Sequence, residues 1–481
     1  MAGFGFSLAD NTCLREGTDG YFLLSTLPLR ILRLNAPLFL LLKHLQEGGE
    51  LSGYINQNPG LDEGSLLRVL LSLVSRGYLK LDKIASLEDY PEVSIIIPVR
   101  NQPGDLVECL QSLARLDYPR EKIEVIVVDD GSDRPLAEVV PSHIRVIRMD
   151  RSQGQAACRN TGAEQAHGEV IAFLDADCIA GENWLRELVP FFRSAKTGAV
   201  GGYVAGYYRE RSLDRYEEVS SSLNMGKRLL LEGDTDSSFY VPTANMLVTR
   251  EAFRAASGFQ AHRHVGEDVD FCWRMRKLGY TLLYVPSGRI AHKHRNQLGK
   301  MLRRRSEYGT SEAALYRAHK EKRKTFLVSL YAGLSFLALV LAILLTSPYP
   351  LAFILLFFGI DLFQKSNTLH KYRMFLPWWQ TAYATLRSYF SFCYFALFHL
   401  LRYYLVLLLA LGFLFHPVWF ISGLAILLTS AVDYSLKKPG LSYPVFLFFY
   451  LLEHLAYQVG VFWGCLKLRY FGSYLISFRR A

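Results

Sequence analysis

Between residues 93 and 294, short runs of Val, Ile and Leu alternate with segments of helical periodicity. The apolar runs lie at 93–99, 123–128, 144–149, 170–174, 199–204 and 281–285, and helices are predicted at 105–116, 155–165 and 183–192. Continuous apolar runs are typical of strands that are buried on both faces. The pattern therefore predicts an α/β fold with a mostly parallel sheet, in which ligands bind beyond the carboxyl ends of the strands.

The C-terminal part is constrained differently, because 51% of the chain is hydrophobic and most of the excess lies beyond residue 325. Residues 326–346 have about the ~20 apolar positions that are needed to cross a ~30 Å hydrocarbon core. A pair of prolines separates them from an apolar run at 351–363, which is followed by Lys365, Lys371 and Arg373. Basic residues at both ends predict a helical hairpin with both ends cytoplasmic.

Further apolar segments at 383–415, 418–432 and 445–466 leave the number of spans open, and the first of them could instead lie at the membrane interface. The chain has a net charge of +10, part of which comes from the basic segment 300–324. Because this segment directly precedes an apolar run, it indicates a cytoplasmic juxtamembrane position rather than nucleic-acid binding. We therefore predict membrane association and no nucleic-acid partner.

The cysteines and the N-terminus indicate the compartment. The seven cysteines are scattered and include no Cys-x-x-Cys pair, so their spacing indicates neither a disulfide framework nor a structural zinc site. Residues 1–10 lack the basic and apolar regions of a signal peptide. The soluble part is therefore expected to remain in a reducing cytosol.

The N-terminal zone has a pattern of its own. Strand-like segments at 21–34 are followed by short helices at 38–45, 51–57 and 62–75 and by a strand at 78–81. Three helices with a β-wing predict a small winged-helix-like module, for which a packing appendage is the simpler interpretation. DNA reading is disfavoured, because the third helix carries only Arg68 and Arg76 as cations.

Two acidic turns follow predicted buried strands. The run VVDDGS at 127–132 puts Asp129 and Asp130 where carboxylates could contact a ribose or a base, and an ordinary Asp-rich turn explains the run equally well. The run IAFLDAD at 171–177 puts Asp175 and Asp177 at the end of a buried strand, which is costly unless a cation neutralises them. Mg²⁺ or Mn²⁺ suits such oxygen ligands and could bridge a diphosphate, whereas helix capping needs only one carboxylate.

The run GEDVDFCWR at 266–274 opens a predicted helix, in which Glu267 and Asp268 belong to the first turn. Acidic residues are common there because they interact favourably with the helix dipole. A metal–diphosphate site also needs a base that deprotonates an acceptor, and this turn supplies the best candidates.

Basic side chains could complete such a site. The run RIAHKH at 289–294 offers His292 or His294 as a neutral imidazole ligand. Arg159, near the start of the helix at 155–165, could pair with a diphosphate as a fork or could lie on an exposed helical face.

The segment 93–101, the DDGS turn, the LDAD run and the Glu267–Asp268 pair occur in the order and spacing that is found in family 2 glycosyltransferases with the GT-A fold. The chain resembles that family over most of residues 93–294. The resemblance implies that Asp129 and Asp130, helped by Pro98, contact the uridine of a nucleotide sugar.

The same resemblance implies the remaining roles. Asp175 and Asp177 correspond to the DxD motif that holds Mn²⁺ or Mg²⁺ together with the UDP diphosphate. Asp268 corresponds to the catalytic base of the ED motif, beside Glu267. His292 corresponds to the C-terminal metal-binding histidine, with His294 as a competitor.

The order of the segments resembles a narrower family, the mycofactocin biosynthesis glycosyltransferases. It combines a PqqD-like peptide-recognition element, a family 2 domain, the run RRRSEYGTS at 303–311 and a hydrophobic tail. That family builds a β-1,4-linked glucose chain on a peptide-derived redox cofactor from UDP-glucose. No Gln-x-x-Arg-Trp follows the ED motif, which argues against a long-chain polymerase. Sugar identity depends on loops such as 214–236, which carry no readable pattern.

The prediction is an α/β chain with four segments: a PqqD-like winged-helix module (1–88), a GT-A, Rossmann-like nucleotide-sugar domain (89–299), a basic juxtamembrane segment (300–324) and hydrophobic membrane-associated helices (325–481). The expected activity is inverting, metal-dependent transfer of glucose from UDP-glucose to premycofactocin or a related acceptor, with a precursor peptide at the N-terminal module. The catalytic domain is expected on the cytoplasmic side of the cell membrane. The alternative acceptor is a lipid or a cell-surface polysaccharide.

Overall fold

The computed structural model describes residues 3–17, 20–232, 239–372, 374 and 376–480. Arg373 of the predicted hairpin and residues 233–236 of the predicted sugar loop lie outside the described residues. Contacts divide the chain into one unit formed by residues 3–7 and 49–298 and a second unit formed by residues 8–48 and 299–480. The segment predicted as an N-terminal module thus contributes to both units, and its independent folding stays a prediction.

The N-terminal elements are β1 (Gly5–Leu8), β2 (Thr12–Gly17), β3 (Gly20–Thr26), β4 (Leu29–Leu34), α1 (Ala36–Gln46), α2 (Leu51–Gln57), α3 (Glu63–Ser75) and β5 (Leu79–Lys83). All three predicted helices and both predicted strand regions are present. Strands β2, β3 and β4 form an antiparallel sheet, whereas β1 pairs with β5. Asn35 caps α1 and Asp62 caps α3, because each side chain accepts a backbone N–H of the first turn.

The elements of the central region are β6 (Val93–Val99), α4 (Pro103–Leu113), β7 (Ile123–Asp129), β8 (Arg145–Arg148), α5 (Gln155–Glu164), β9 (Val170–Leu174), β10 (Cys178–Ala180), α6 (Trp184–Leu188), β11 (Thr197–Gly201), β12 (Val204–Gly206), α7 (Ser212–Ser220), β13 (Leu230–Glu232), β14 (Asn245–Thr249), α8 (Arg250–Ala255), α9 (Glu267–Lys277), β15 (Thr281–Tyr284) and β16 (Ile290–His292). The six predicted strands and three predicted helices all correspond to elements of this region. The strand predicted at 199–204 is divided into β11 and β12.

Eight of these strands form a sheet in the order β13-β15-β11-β14-β9-β6-β7-β8. Strands β9, β6, β7 and β8 are parallel, but β14 lies antiparallel between β9 and β11, and β13 is antiparallel to β15. The prediction of a mostly parallel sheet is therefore confirmed, since six of the eight strands run in one direction and only β13 and β14 run against them. No strand was predicted at β14 or in residues 207–244 before it, so neither β14 nor its direction could be read from the apolar runs.

A second, three-stranded sheet has the order β10-β16-β12. Strand β16 is antiparallel to β10 and parallel to β12. Each of its strands has three residues, which is too short to give a periodic pattern. This small sheet brings the segment after β9 beside the segment that contains His292.

The second unit continues with α10 (Leu298–Ala318), β17 (Lys324–Val328), α11 (Leu330–Leu344), α12 (Leu351–Lys371), α13 (Trp378–Leu414), α14 (Pro417–Lys437), α15 (Tyr443–Leu468) and β18 (Ile476–Arg480). Within the described residues, three helices are long and apolar enough to cross a membrane, namely α13, α14 and α15. The predicted run at 326–346 is corrected, because β17 pairs with β18 and leaves only the 15-residue helix α11. That helix is shorter than the ~20 residues of a typical span.

Helices α10 and α15 cross at glycine. A Cβ atom on Gly460 would lie 2.0 Å from the carbonyl oxygen of Ser306, and one on Gly464 would lie 2.4 Å from that of Thr310. The two backbones are therefore closer than any other residue type permits. Part of the basic segment 300–324 is thus packed against an apolar helix, and the Arg305 guanidinium lies 3.4 Å from the Glu453 carboxylate.

Candidate functional site

The site lies at one edge of the main sheet. Strands β6, β7 and β9 are parallel neighbours, so their carboxyl ends meet there. Asp129 ends β7, Asp130 follows it, and Asp175 comes directly after β9. Pro98 is buried in β6, where it is paired in register with Val128. The structure thus brings both predicted acidic turns to the same edge.

In the first turn, protein groups already occupy the Asp129 carboxylate. It is fully buried, with one oxygen accepting the backbone N–H of Ser132 at 2.9 Å. Its other oxygen lies 3.1 Å from the Arg148 guanidinium. Gly131 completes the turn with a φ of 61°, a conformation that glycine adopts without strain.

Asp130 has a comparable role one residue later. Its carboxylate accepts the backbone N–H groups of Gln153 at 2.7 Å and Gly154 at 3.1 Å. The Ser152 hydroxyl donates a further hydrogen bond at 2.8 Å. These bonds hold the loop that leads into α5, and so determine where Arg159 is placed.

Arg159 is neither exposed nor directed at an open space. Its side chain is 1% exposed, and its two terminal nitrogens lie 2.6 Å from Asp175 and 3.0 Å from Glu267. Burial lowers the pKa of the guanidinium, but the two carboxylates outweigh that effect and raise it. Arg159 therefore stays cationic and joins the second acidic turn to the start of α9. The surface position considered for it from sequence is wrong.

Helix α9 begins where the sequence predicted it. Gly266 precedes it in the left-handed region, with a φ of 78°, and Gly279 follows it with a φ of 88°. Glu267 is buried and bound to Arg159, whereas Asp268 is half-buried and accepts the backbone N–H of Val269 at 2.8 Å. The two neighbouring carboxylates thus have different partners: that of Glu267 is bound to a buried arginine, and that of Asp268 accepts a backbone N–H of its own helix.

Asp177 lies beside the small sheet. Because Cys178 is paired in register with His292, the imidazole lies next to Asp177, with its Nε2 3.6 Å from the carboxylate. Burial raises the pKa of the Asp177 carboxyl and Asp175 adds to that effect, while His292 opposes it. The Asp177 carboxyl group therefore ionises less readily than a free one, and it lies beside the imidazole of His292.

Ligand atoms of Asp177, Cys178 and His292 lie within 4.8 Å of one another. A carboxylate and an imidazole are ligands that a divalent cation such as Mn²⁺ accepts, and Asp175 is next to the group. The residues therefore fit the metal that the sequence implied. The two candidate histidines differ in position, because only His292 belongs to this group.

The two side chains that follow His292 have other partners. The Nε2 atom of His294 lies 3.3 Å from Asp214 on α7, and burial lowers the pKa of this imidazole although Asp214 opposes the effect. Lys293 lies 2.7 Å from Asp105 and 2.9 Å from Glu108, and its backbone N–H donates to the carbonyl oxygen of Asp177. The segment after β16 is thus held by four separate contacts.

Sequence reasoning missed several residues that position the site, namely Arg148, Asp214, Lys293 and Asn245. Asn245 is fully buried, accepts the Trp184 indole N–H at 2.7 Å and donates to the carbonyl oxygen of Gly288 at 2.8 Å. It therefore holds the loop that leads into β16. Only Lys293 had a visible signal, since it is flanked by two candidate histidines.

Comparisons with known proteins indicate the family that the chain is similar to. The profile of the family described as Glycosyl transferase family 2 matches residues 94–256. Pre-mycofactocin glycosyltransferases of Mycobacterium tuberculosis are 32% identical over 330 residues, or 68% of this chain. The aligned part spans 66% of the length of those relatives.

Two more distant similarities were also found. Glycosyltransferase AglE of Haloferax volcanii is 27% identical over 256 residues, which are 51% of this chain and 82% of that protein. Among solved structures, mannosyltransferase PcManGT of Pyrobaculum calidifontis, in complex with GDP-Man and Mn²⁺, is 18% identical. It covers 68% of this chain and 98% of its own length, with a TM-score of 0.40.

Proposed function

Because the chain belongs to glycosyltransferase family 2, with the GT-A fold, and is related to pre-mycofactocin glycosyltransferases, we propose that it transfers glucose from UDP-glucose to a premycofactocin-like acceptor. Repeated transfer would build a short β-1,4-linked glucan. The single observation that best supports the proposal is the link through Arg159, which joins Asp175 to the helix turn that carries Asp268.

On the donor side, the nucleotide is proposed to lie over the carboxyl ends of β6 and β7, beside Pro98, Asp129 and Asp130. Both carboxylates are already bonded to the protein, so their main contribution is to shape the turn and the loop before α5. Arg159 is proposed to assist diphosphate binding indirectly, by orienting Asp175.

Asp175, Asp177 and His292 are proposed to hold Mn²⁺ or Mg²⁺. When bound, such a cation supplies electrostatic stabilisation of the negative charge that develops on the departing diphosphate. The protein contributes a carboxylate and an imidazole that are already near each other, at 3.6 Å. Few side-chain rotations are then needed to form the site.

Asp268 is proposed to act as the base. It removes the proton of an acceptor hydroxyl as that oxygen attacks the anomeric carbon, and the bond from that carbon to the UDP oxygen breaks on the opposite face. UDP leaves with the bonding electron pair and the sugar configuration is inverted. From sequence, Glu267 was a catalytic candidate together with Asp268. Because Glu267 accepts a hydrogen bond from Arg159, we assign it a positioning role and not a role in proton transfer.

Two further partners belong to the proposal. The sheet of β2, β3 and β4 could take a precursor peptide as an added strand, since an exposed sheet edge binds extended peptides through main-chain hydrogen bonds. Helices α13, α14 and α15 would hold the protein in the cell membrane, with the catalytic domain on the cytoplasmic side. Removal of residues 1–90 without any change in peptide-acceptor kinetics would refute the peptide role.

The same three helices favour one alternative acceptor, a membrane lipid or a cell-surface polysaccharide. The deciding experiment is UDP release from the purified full chain with Mn²⁺, with UDP-glucose compared with other UDP-sugars. We expect a mycofactocin-type acceptor to stimulate release from UDP-glucose, and Asp268→Asn to lower the rate about 10³-fold. Slow hydrolysis that this acceptor does not stimulate would support the alternative, and absence of UDP release would contradict both.

A further inference from the structure

The ends of helices α10 and α15 lie side by side in the second unit. The guanidinium of Arg317, in the last turn of α10, donates to the backbone carbonyl oxygen of Leu468 at 3.5 Å. The hydroxyl group of Tyr470 donates to the carbonyl oxygen of Tyr316 at 3.1 Å. Two segments that are about 151 positions apart in the chain therefore share one surface.

This surface carries a basic patch. The patch consists of five exposed cations from the end of α10, the segment after it and the end of α15, namely Arg317, Lys320, Arg323, Lys467 and Arg469. Within residues 317–323 and 467–473 the one acidic residue is Glu321, whose carboxylate lies 3.7 Å from His319. Because the cations outnumber the carboxylate, the basic patch favours an anionic ligand.

Exposed apolar side chains adjoin the basic patch. Phe471 follows Arg469 by two residues and is 50% exposed. On α15 itself, Trp463 and Leu466 are exposed just before Lys467. Basic side chains beside exposed aromatic and aliphatic ones are typical of a membrane–water interface, where both meet the lipid headgroups.

The position of the basic patch favours a lipid over a nucleic acid. It continues directly into the exposed face of α15, which is one of the helices long and apolar enough to cross a membrane. A nucleic acid bound there would lie against the lipid-facing side chains. A phospholipid instead can place its phosphate at the cations and its acyl chains against Trp463 and Leu466, and an anionic headgroup adds the complementary charge.

The opposite end of α15 is much less basic. Helix α14 ends at Lys437, whose ammonium group lies 3.1 Å from the Asp433 carboxylate. Residues 438–442, which connect α14 to α15, contain one cation, Lys438. The positive charge is therefore concentrated at one end of α15, as expected if the headgroups of one leaflet supply the ligand.

We propose that the basic patch binds the headgroups of anionic phospholipids, with its cations at the lipid phosphates and Phe471 among the headgroups. The inference rests on the membrane location in the proposed function and deepens it, because it names the class of lipid. It also gives the end of α10 a role, since a lipid held by Arg317 and Lys467 joins α10 to α15.

The test is native mass spectrometry of the full chain in a neutral detergent, with phosphatidylglycerol and phosphatidylcholine added in equal amounts. We expect the wild type to bind phosphatidylglycerol in preference. The triple variant Lys320→Gln, Arg323→Gln and Lys467→Gln should bind it about 100-fold more weakly, at about fivefold per charge. These three side chains are exposed, and the variant keeps the contacts of Arg317 and Tyr470.

The matched control combines Lys43→Gln, Arg115→Gln and Arg254→Gln, which remove three exposed cations outside the basic patch. Equal binding of phosphatidylglycerol by both triple variants would overturn the site, as would a wild type without preference for it. Tighter binding of a single-stranded DNA decamer than of phosphatidylglycerol would assign the basic patch to nucleic acid instead.

UDP release from UDP-glucose, measured in the same detergent, keeps this inference apart from the proposed function. A wild type that prefers phosphatidylglycerol but releases no UDP would contradict the proposed transfer and leave the lipid site standing. A wild type that releases UDP but binds both lipids equally would contradict the lipid site alone.

Discussion

The two acidic turns at the sheet edge have similar sequences but differ in what surrounds their carboxylates. Asp129 and Asp130 accept hydrogen bonds from nearby backbone and side-chain donors, and Asp129 is fully buried. Asp177 instead faces His292 at 3.6 Å and has its pKa raised by burial. Carboxylates with complete protein partners stabilise a turn, whereas a half-buried carboxylate without full compensation, such as that of Asp177, is suited to bind a cation.

The largest expected effect on stability comes from replacing the arginine that contacts each turn. Arg159 is 1% exposed between two carboxylates, and Arg148 is 41% exposed beside Asp129. We expect Arg159→Met to lower the free energy of unfolding by about 3 kcal/mol, because it leaves the buried Glu267 and the half-buried Asp175 without a cation. Arg148→Met should cost less than about 1 kcal/mol. Chemical denaturation that gives equal losses for both variants would contradict the comparison.

Removing the carboxylates themselves should have opposite effects. Asp129→Ala leaves the buried N–H of Ser132 without its acceptor, so we expect a loss of about 2 kcal/mol in the free energy of unfolding. Asp177→Ala should not destabilise the metal-free protein, since it removes a charge that burial disfavours. The measurement is urea denaturation in the presence of a chelator, and a larger loss in Asp177→Ala would reverse the assignment of the two turns.

The smallest expected effect is a dependence on pH. The pKa of Asp177 is raised from its ordinary value of 3.8, so the folded state binds its proton more tightly than the unfolded state does. Stability from this group therefore falls as pH rises through and above that value. Metal-free Asp177→Asn should melt at a higher temperature than the wild type at pH 7, with the difference shrinking toward pH 4. A difference that is constant across this range would exclude the titration of Asp177 as its cause.

The main sheet could be predicted because its buried strands are continuous apolar runs, as in β6 and β9. The antiparallel direction of β14 could not, since direction depends on the path of the chain after β12 rather than on local composition. The apolar content at 326–346 could be read from the sequence. The pairing of β17 with β18 could not, because it joins residues that are 152 positions apart (Lys324 with Ile476), and this pairing shortens the helix that was expected there.

The candidate site was predictable to a similar extent. Asp175, Asp177 and Asp268 follow from motifs, and His292 could be separated from His294 only through the register of β10 and β16. The partners of Arg159 were hidden, because its contact with Glu267 joins residues that are 108 positions apart. Long-range ion pairs leave no local signal, so residues that position a site are harder to find than residues that carry its motif.

The second acidic turn, together with His292, is proposed to bind the cation on which nucleotide binding depends. The most direct test is calorimetric titration of UDP into the full chain with and without Mn²⁺, for the wild type, Asp177→Asn and the control Asp133→Asn in the first turn. We expect Mn²⁺ to strengthen UDP binding in the wild type and the control, and Asp177→Asn to weaken Mn²⁺-dependent binding about 100-fold. If Asp177→Asn binds UDP with the same dependence on Mn²⁺ as the wild type, Asp177 is not a ligand of the cation.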